Sequence, residues 1–275
     1  MKLTDYIAHL ELRDGIYYAS NKREISYPKE GNDVSFDLEE NSFWFKHRNK
    51  IITEVIKRYA KNDFFFDIGG GNGYISRAIE NTGINTILVE PGIDGCRNAQ
   101  KRGLKNIICA SLEDSHFEEA SLPNIGLFDV VEHIEHHVLF LQTVHRYLSP
   151  NGYVFITVPA YQALWSNEDN DAGHYRRYTL KSLHRTLAEA GFKPVYSTYI
   201  FSLLPLPIFL FRSLPSKLGF HKNSNAAEKY KEEHSHKKGI LNKIMNWILE
   251  REFKKIKQGR TVRFGSSCFV VAKKI

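Results

Sequence analysis

"FFFDIGGGNG", residues 64 to 73, places three aromatic residues and an aspartate directly before four glycines within five positions. A short apolar run that ends in glycine predicts a buried strand followed by a sharp turn. In a doubly wound sheet the first such turn is where a nucleotide-like ligand approaches the backbone, and side chains there would obstruct it. The dinucleotide fingerprint G-x-G-x-x-G needs a third glycine three residues after the second, but Gly69 and Gly71 are followed by Gly73, and Tyr74 stands at the required place. The spacing fits D-x-G-x-G-x-G instead, through Asp67, Gly69, Gly71 and Gly73.

On both sides of this turn, short apolar runs alternate with helical periodicity. Trp44–Tyr59 repeats apolar residues at Ile51, Ile52, Val55, Ile56 and Tyr59, one face of a helix. Strands are expected at Phe64–Phe66, Thr86–Val89, Ile107–Ala110, Ile125–Phe128 and Tyr153–Val158, with helices at Tyr74–Glu80, Cys96–Arg102 and Val138–Leu148. Thr179 reads as the N-cap of a helix with apolar face Leu180, Leu183 and Leu187, and Gly191 as its end. Strands at Pro194–Tyr199 and Ser267–Ala272 complete the expectation of an α/β fold: a doubly wound, Rossmann-like, mostly parallel seven-stranded sheet. The expected organisation is an N-terminal helical arm over 1–42 with turns at Tyr27-Pro28 and Gly31-Asn32-Asp33, a ligand-binding core over 43–200, a helical insertion or cap over 201–262, and the final strand over 263–275.

Composition bounds the partners without choosing among them. The chain has 275 residues, 42% of them hydrophobic, enough for a substantial core. The charged opening stretch Met1–Gly15 lacks the apolar run of a secretory leader, so a cytoplasmic location is expected. Cys96, Cys109 and Cys268 are scattered and fit neither a disulfide framework nor a zinc site. A net charge of +7 permits an anionic partner, but a solvated lysine-rich face explains it equally.

The glycine turn, the acid Glu90 in "TILVEPG" 21 residues after Gly69, and "CASLED" after the third strand together resemble the class I S-adenosylmethionine-dependent methyltransferases. "LFDVVEHIEHHVLFL", "VPAYQALWSNEDNDAGHYRRYT" and "SFWFKHRN" are similar to a bacterial branch of that family often described as type 11 or type 23. The resemblance extends from about Phe43 to Ala190. It implies S-adenosyl-L-methionine as cofactor, with S-adenosyl-L-homocysteine as product. It implies a cofactor site of Asp67, Gly69, Gly70, Gly71, Gly73, Glu90, Pro91, Ser111, Leu112 and Phe128, in which the glycines pass beneath the amino-acid part, Glu90 binds the ribose diol and Ser111 and Leu112 reach the adenine. A carboxylate suits a diol because it accepts two hydrogen bonds at once.

Methyl transfer from a sulfonium is an in-line displacement, so alignment and exclusion of water carry most of the catalysis. An acceptor hydroxyl must also lose a proton. Asp129, His133 and His174 are the catalytic candidates; their structural alternatives are a helix cap, a backbone support and a loop anchor. Trp44, Tyr175, Arg176 and Arg177 are candidates for holding the acceptor, the arginines through a bidentate fork, with an ion pair to Glu168, Asp169 or Asp171 as the alternative. His133, His136 and His137 share i, i+3, i+4 spacing, but without an H-E-x-x-H companion no metal is expected.

Phe201–Leu214 is almost wholly apolar yet broken by Pro205 and Pro207, too short to span a bilayer. It reads as a cap over the acceptor pocket, or as a peripheral membrane contact through 201–222 aided by Lys217, Lys222, Lys229, Lys237 and Lys238. The expected acceptor is a small molecule, a sugar or a lipid-linked intermediate, methylated on oxygen. An RNA acceptor is disfavoured, since "LFDVVEH" replaces the N/D-P-P-Y segment used on base amines. A non-catalytic cofactor-binding module is the remaining alternative.

Overall fold

The computed structural model describes residues 4–7, 9–19, 36, 39, 40, 42–60, 64–220 and 240–275. The turns expected at 27–28 and 31–33, and Lys222, Lys229, Lys237 and Lys238, lie outside these residues. In chain order the strands are β1 Glu11–Arg13, β2 Ile16–Tyr18, β3 Phe65–Ile68, β4 Thr86–Val89, β5 Ile107–Cys109, β6 Leu122–Phe128, β7 Leu148–Pro159, β8 Phe192–Ile200 and β9 Ser267–Lys274. They form one sheet in the order β1-β2-β5-β4-β3-β6-β7-β9-β8, parallel from β2 to β7 and antiparallel where β9 inserts between β7 and β8.

Seven of the nine strands are those expected. The other two correct the reading of the first 42 residues as a helical arm: one helical turn, α1 (Thr4–Ile7), precedes a hairpin whose Tyr17 and Tyr18 pair with Ile108 and Cys109, extending the β5 edge. Strands of three residues are too short for alternation to register, which is why periodicity misses them.

The helices that follow are α2 Phe43–Tyr59, α3 Tyr74–Glu80, α4 Ile93–Lys101, α5 His137–Tyr147, α6 Asn167–Asp171 and α7 Leu180–Glu189. In α2, Ser42 Oγ accepts from the Trp44 N–H at 3.1 Å, and Ile51, Ile52, Val55 and Ile56 are fully buried against the sheet. A buried aliphatic side chain contributes about 1.5–3 kcal/mol, so this stripe rather than helix propensity seats α2. Helix α7 starts in a Thr179–Ser182 capping box, buries Leu183 and Leu187, and is followed by Gly191 at φ +88°. Phe65, Phe155 and Phe269 pack on the α2 face, while Phe66, Ile125 and Ile156 pack on the other. The three cysteines are buried and unbridged.

The insertion begins as α8 (Pro205–Ile208), a π-helical turn (Phe209–Ser213) and α9 (Leu214–Lys217), and resumes at α10 (Ile240–Lys257). Glu252 on α10 accepts from the N–H groups of Phe201 and Ser202, at 2.8 and 2.7 Å, and contacts His47 Nε2 of α2 at 2.9 Å. The Ser266 N–H donates to the Phe201 carbonyl at 3.3 Å, so the insertion leaves and rejoins the sheet at one neck. Among the described residues no helix is long and apolar enough to cross a membrane.

Candidate active site

At the end of β3 the Gly69 N–H donates to the Val89 carbonyl at 2.8 Å, which keeps the turn stitched to β4. Gly71 takes φ +54°, and a Cβ built there would meet nothing within 4 Å, because it would project into open space. Gly73, at φ +72°, faces the other way: a Cβ would come within 2.6 Å of Leu104 Cδ1 and 2.7 Å of Ala99 Cβ. Gly71 therefore leaves room for a ligand, whereas Gly73 lets α3 approach α4 and stands outside the cavity lining.

Two acids flank the turn. Glu90 accepts from the N–H groups of Gly71 and Gly92, at 2.9 and 2.7 Å; burial raises its pKa and these two bonds oppose the rise. Asp67 is fully buried, and Ser76 Oγ donates to its Oδ2 at 2.6 Å. Its Oδ1 has no hydrogen-bond partner among the described residues, and burial pushes its pKa up to about 6.

Two joined cavities open beside this turn. A groove of about 380 Å³, lined by Gly69, Pro91, Ser111, Leu112 and Val130 among others, has the position and apolar walls for a flat ring. Ser111 Oγ donates to Asp114 at 2.8 Å and accepts its N–H at 3.1 Å, which fixes the loop forming one wall. The second cavity, about 850 Å³, shares Gly69, Pro91, Val130 and Ile134 with the groove and is bordered by Asp67, Gly70, Gly71, Glu90 and Phe128. Phe128 is fixed by stacking on Phe65 with centroids 6.2 Å apart.

The far side of the larger cavity is polar. Asp129 ends β6 in the left-handed region, φ +59°, uncommon for a residue with a side chain. That turn presents its carboxylate to Arg48 at 2.5 Å and to Thr157 Oγ1 at 3.1 Å. The Arg48 guanidinium lies 5.2 Å from the centre of the Trp44 ring, which stacks on Phe201. In the 3₁₀ turn Val131–His133, Glu132 is 1% exposed, and burial together with the Asp129 charge raises its pKa well above the carboxylate range. His133 meets His174 edge to face, centroids 4.7 Å apart; burial and then the His174 charge lower its pKa to about 4, so it is uncharged at neutral pH.

His174 Nδ1 lies 2.8 Å from Asp169, whose two oxygens also take the Arg177 fork at 2.7 and 2.9 Å. Burial alone would raise the Asp169 pKa, but these partners hold it below the ordinary value. Leu204, Pro207, Ile208 and Phe211 of the insertion border the cavity above, Phe211 at its rim with most of the side chain exposed.

Of the sequence candidates, Asp129, His133, His174, Trp44 and Arg177 line this cavity, Arg177 as the ion pair with Asp169. Tyr175 and Arg176 do not: Tyr175 is half exposed, and Arg176 donates to the carbonyls of Ile134 and Glu135 at 2.5 and 2.8 Å. Nor do the three histidines at i, i+3 and i+4 converge. His137 bonds the Tyr178 hydroxyl at 2.7 Å and His136 borders the smaller groove, so His133 finds its neighbour in His174, forty-one residues on. Sequence reasoning missed Glu132, although an acid four residues past the carboxyl end of β6 is itself a positional signal.

An adenosyl sulfonium with a ribose diol and an α-ammonium fits these residues: Glu90 for the diol, the unpartnered Asp67 oxygen for a cation, the groove for the base. A model of the family described as "methyltransferase domain" matches residues 44–197. The chain belongs to this methyltransferase family. Among solved structures, a chain of the complex between the Haloferax volcanii Trm112 methyltransferase activator and a methyltransferase superposes with a TM-score of 0.56 at 14% identity, covering 89% of this chain and 94% of that one. An Archaeoglobus fulgidus SAM-dependent methyltransferase gives 0.52 at 17%, covering 84% and 100%. Haemonchus contortus phosphoethanolamine N-methyltransferase 2, in complex with S-adenosyl-L-methionine, gives 0.55 at 16%, covering 91% of this chain and 58% of that one. Among curated proteins no sequence matches. This methyltransferase is S-adenosyl-L-methionine-dependent, and the cofactor supplies the electrophilic methyl group.

Proposed function

We propose that this methyltransferase transfers the methyl group to a hydroxyl oxygen of an acceptor with an apolar body, of which a lipid-linked intermediate is the leading type. The observation that carries the proposal is the single cavity joining Gly71 and Glu90 on one side to Asp129, His133 and His174 on the other, beneath an apolar roof. Glu90 and Asp67 anchor the cofactor, Arg48 and Thr157 hold Asp129 in place, and the Asp169–His174 contact fixes the imidazole at the acceptor's side. Leu204, Pro207, Ile208 and Phe211 exclude water from the displacement and accommodate an apolar acceptor.

The outer face of the same cap exposes Leu206, Leu210, Leu214, Leu218 and Phe220, beside Lys217. An apolar stripe with basic company suits the interface of a membrane, and we assign the protein a peripheral location there. The small, soluble hydroxylated metabolite remains the second reading, favoured by the enclosing roof.

Calorimetric titration with S-adenosyl-L-methionine, S-adenosyl-L-homocysteine and NAD, followed by methyl-label transfer into lipid and aqueous extracts, tests the proposal. Binding of both adenosyl compounds but not NAD, with label in the lipid fraction as an alkali-stable ether, is expected. Label on an amine or carboxylate, or only in RNA, refutes the acceptor assignment.

A further inference from the structure

One acid at the acceptor's side of the cavity has no ion-pair partner among the described residues. Arg48 is matched by Asp129 and Arg177 by Asp169, which leaves Glu132 without a cation of its own. Glu132 is 1% exposed, and neither of its carboxylate oxygens meets a hydrogen-bond partner among the described residues. A buried carboxyl in that state keeps its proton, and gives it up where a cation takes the proton's place. Two imidazoles stand beside it. Glu132, His133 and His174 each bring one donor atom, and these atoms lie within 4.8 Å of one another.

His174 uses Nδ1 for Asp169, so Nε2 is the nitrogen it offers. A carboxylate behind a histidine fixes tautomer and ring orientation, the arrangement found around metal-binding imidazoles. His133 is fixed by interactions with the backbone at Ala172 and Gly173, in the loop that carries His174.

We propose that Glu132, His133 and His174 bind one divalent transition-metal cation at the wall of the larger cavity. Two imidazoles and one carboxylate select a borderline cation such as zinc, cobalt or nickel over magnesium or calcium. Three protein ligands leave a position open, as in catalytic rather than structural sites. A tetrahedral cation about 2.1 Å from each donor sets the donors about 3.4 Å apart, so side chains whose donor atoms now lie within 4.8 Å of one another turn inward on binding.

The catalytic part of the proposal rests on the O-methylation reading. A cation at this wall draws the acceptor hydroxyl to the open position and lowers its pKa. The O–H proton passes to solvent and the oxygen lone pair forms the bond to the methyl carbon. The bond from that carbon to sulfur breaks with its electron pair left on sulfur, giving the neutral thioether. The donor set differs from the His133, His136, His137 trio suggested by spacing, since it takes one residue from the trio and two from outside it.

The test uses tag-free protein stripped with a chelator and titrated calorimetrically with Zn²⁺, Co²⁺ and Mg²⁺, with visible spectra for Co²⁺ and S-adenosyl-L-homocysteine as a parallel titration. One site per chain for Zn²⁺ and Co²⁺, visible ligand-field bands, and binding weakened about tenfold or more in both Glu132→Gln and His174→Ala are expected. Wild type that binds neither transition metal, Mg²⁺ bound as tightly as Zn²⁺, or affinity unchanged in the two variants overturns the proposal. S-Adenosyl-L-homocysteine binding certifies the fold of each variant; if one fails to fold, the other and the wild-type Co²⁺ spectrum decide. S-Adenosyl-L-homocysteine binding without metal binding overturns the metal site and leaves the O-methylation reading standing. Metal binding with methyl label found on an amine or carboxylate leaves the site standing and overturns that reading.

Discussion

Replacing Asp67 by Asn should stabilise the ligand-free protein while weakening its hold on the cofactor. The Asp67 carboxyl is fully buried, and its pKa stands at about 6 against an ordinary 3.8. Ser76 donates to it from α3, Arg48 from α2 favours its charge, and the Glu90 carboxyl at the end of β4 is its charged neighbour. Arg48 is largely neutralised by its 2.5 Å contact with Asp129. A carboxyl that binds its proton more tightly folded than unfolded favours the folded state below its unfolded pKa and loses that advantage as pH rises through its folded value. The shift of about two units corresponds to roughly 3 kcal/mol at neutral pH. Asparagine keeps an acceptor for Ser76 and needs no charge. Thermal melts at pH 7.5 should therefore show the ligand-free Asp67→Asn protein melting roughly 5 °C or more above wild type, the gap shrinking as pH falls toward 4. S-Adenosyl-L-homocysteine should bind the variant about tenfold or more weakly, having lost its charge-assisted partner. A variant that melts below wild type at pH 7.5 with ligand affinity intact would refute the placement of this carboxylate.

Gly71→Ala should leave the melting temperature within a few degrees and sharply reduce cofactor affinity, since its Cβ enters the cavity. Gly73→Ala should lose about 2 kcal/mol or more of stability through overpacking against Ala99 and Leu104, visible as a lower urea midpoint. Glu90→Ala should weaken S-adenosyl-L-homocysteine by about 100-fold in calorimetry, the loss of two charge-assisted hydrogen bonds; an unchanged Kd would refute its role. Glu252→Ala leaves two N–H groups at the neck and buried His47 without their acceptor, and urea unfolding should register a cost of about 3 kcal/mol or more.

The parts of the fold legible in the sequence are those governed by local pattern. Apolar runs closed by glycine mark β3 and β4, and the α2 stripe and the Thr179 cap repeat at helical spacing. Asp67 and Glu90 are legible for a related reason, since each sits at a fixed offset from the glycine turn. The acceptor side is not local. Arg48 reaches Asp129 from eighty-one residues away, so no spacing reveals that pair; the Arg177–Asp169 pair is one of the ion pairs the sequence offers, but spacing does not choose Asp169 over Glu168 or Asp171. Arg176 sits next to Arg177 in the chain yet faces away from the cavity, as alternation along an extended segment requires, while Tyr175 is exposed. The β1–β2 hairpin escapes for lack of length.

The neck has a consequence for how this enzyme's repertoire can change. Phe201 and Ser266 are bonded to each other, and Glu252 ties the first two residues past β8, so the closure of the sheet does not depend on which residues line the roof. The proposed cofactor residues Asp67, Gly71 and Glu90 all belong to strands and turns that precede that closure in the chain. The insertion behaves as an interchangeable fitting on a fixed motor: exchanged as one cassette between Phe201 and Ser266, with Glu252 retained, it would redirect the enzyme to a different acceptor while its methyl donor stayed the same.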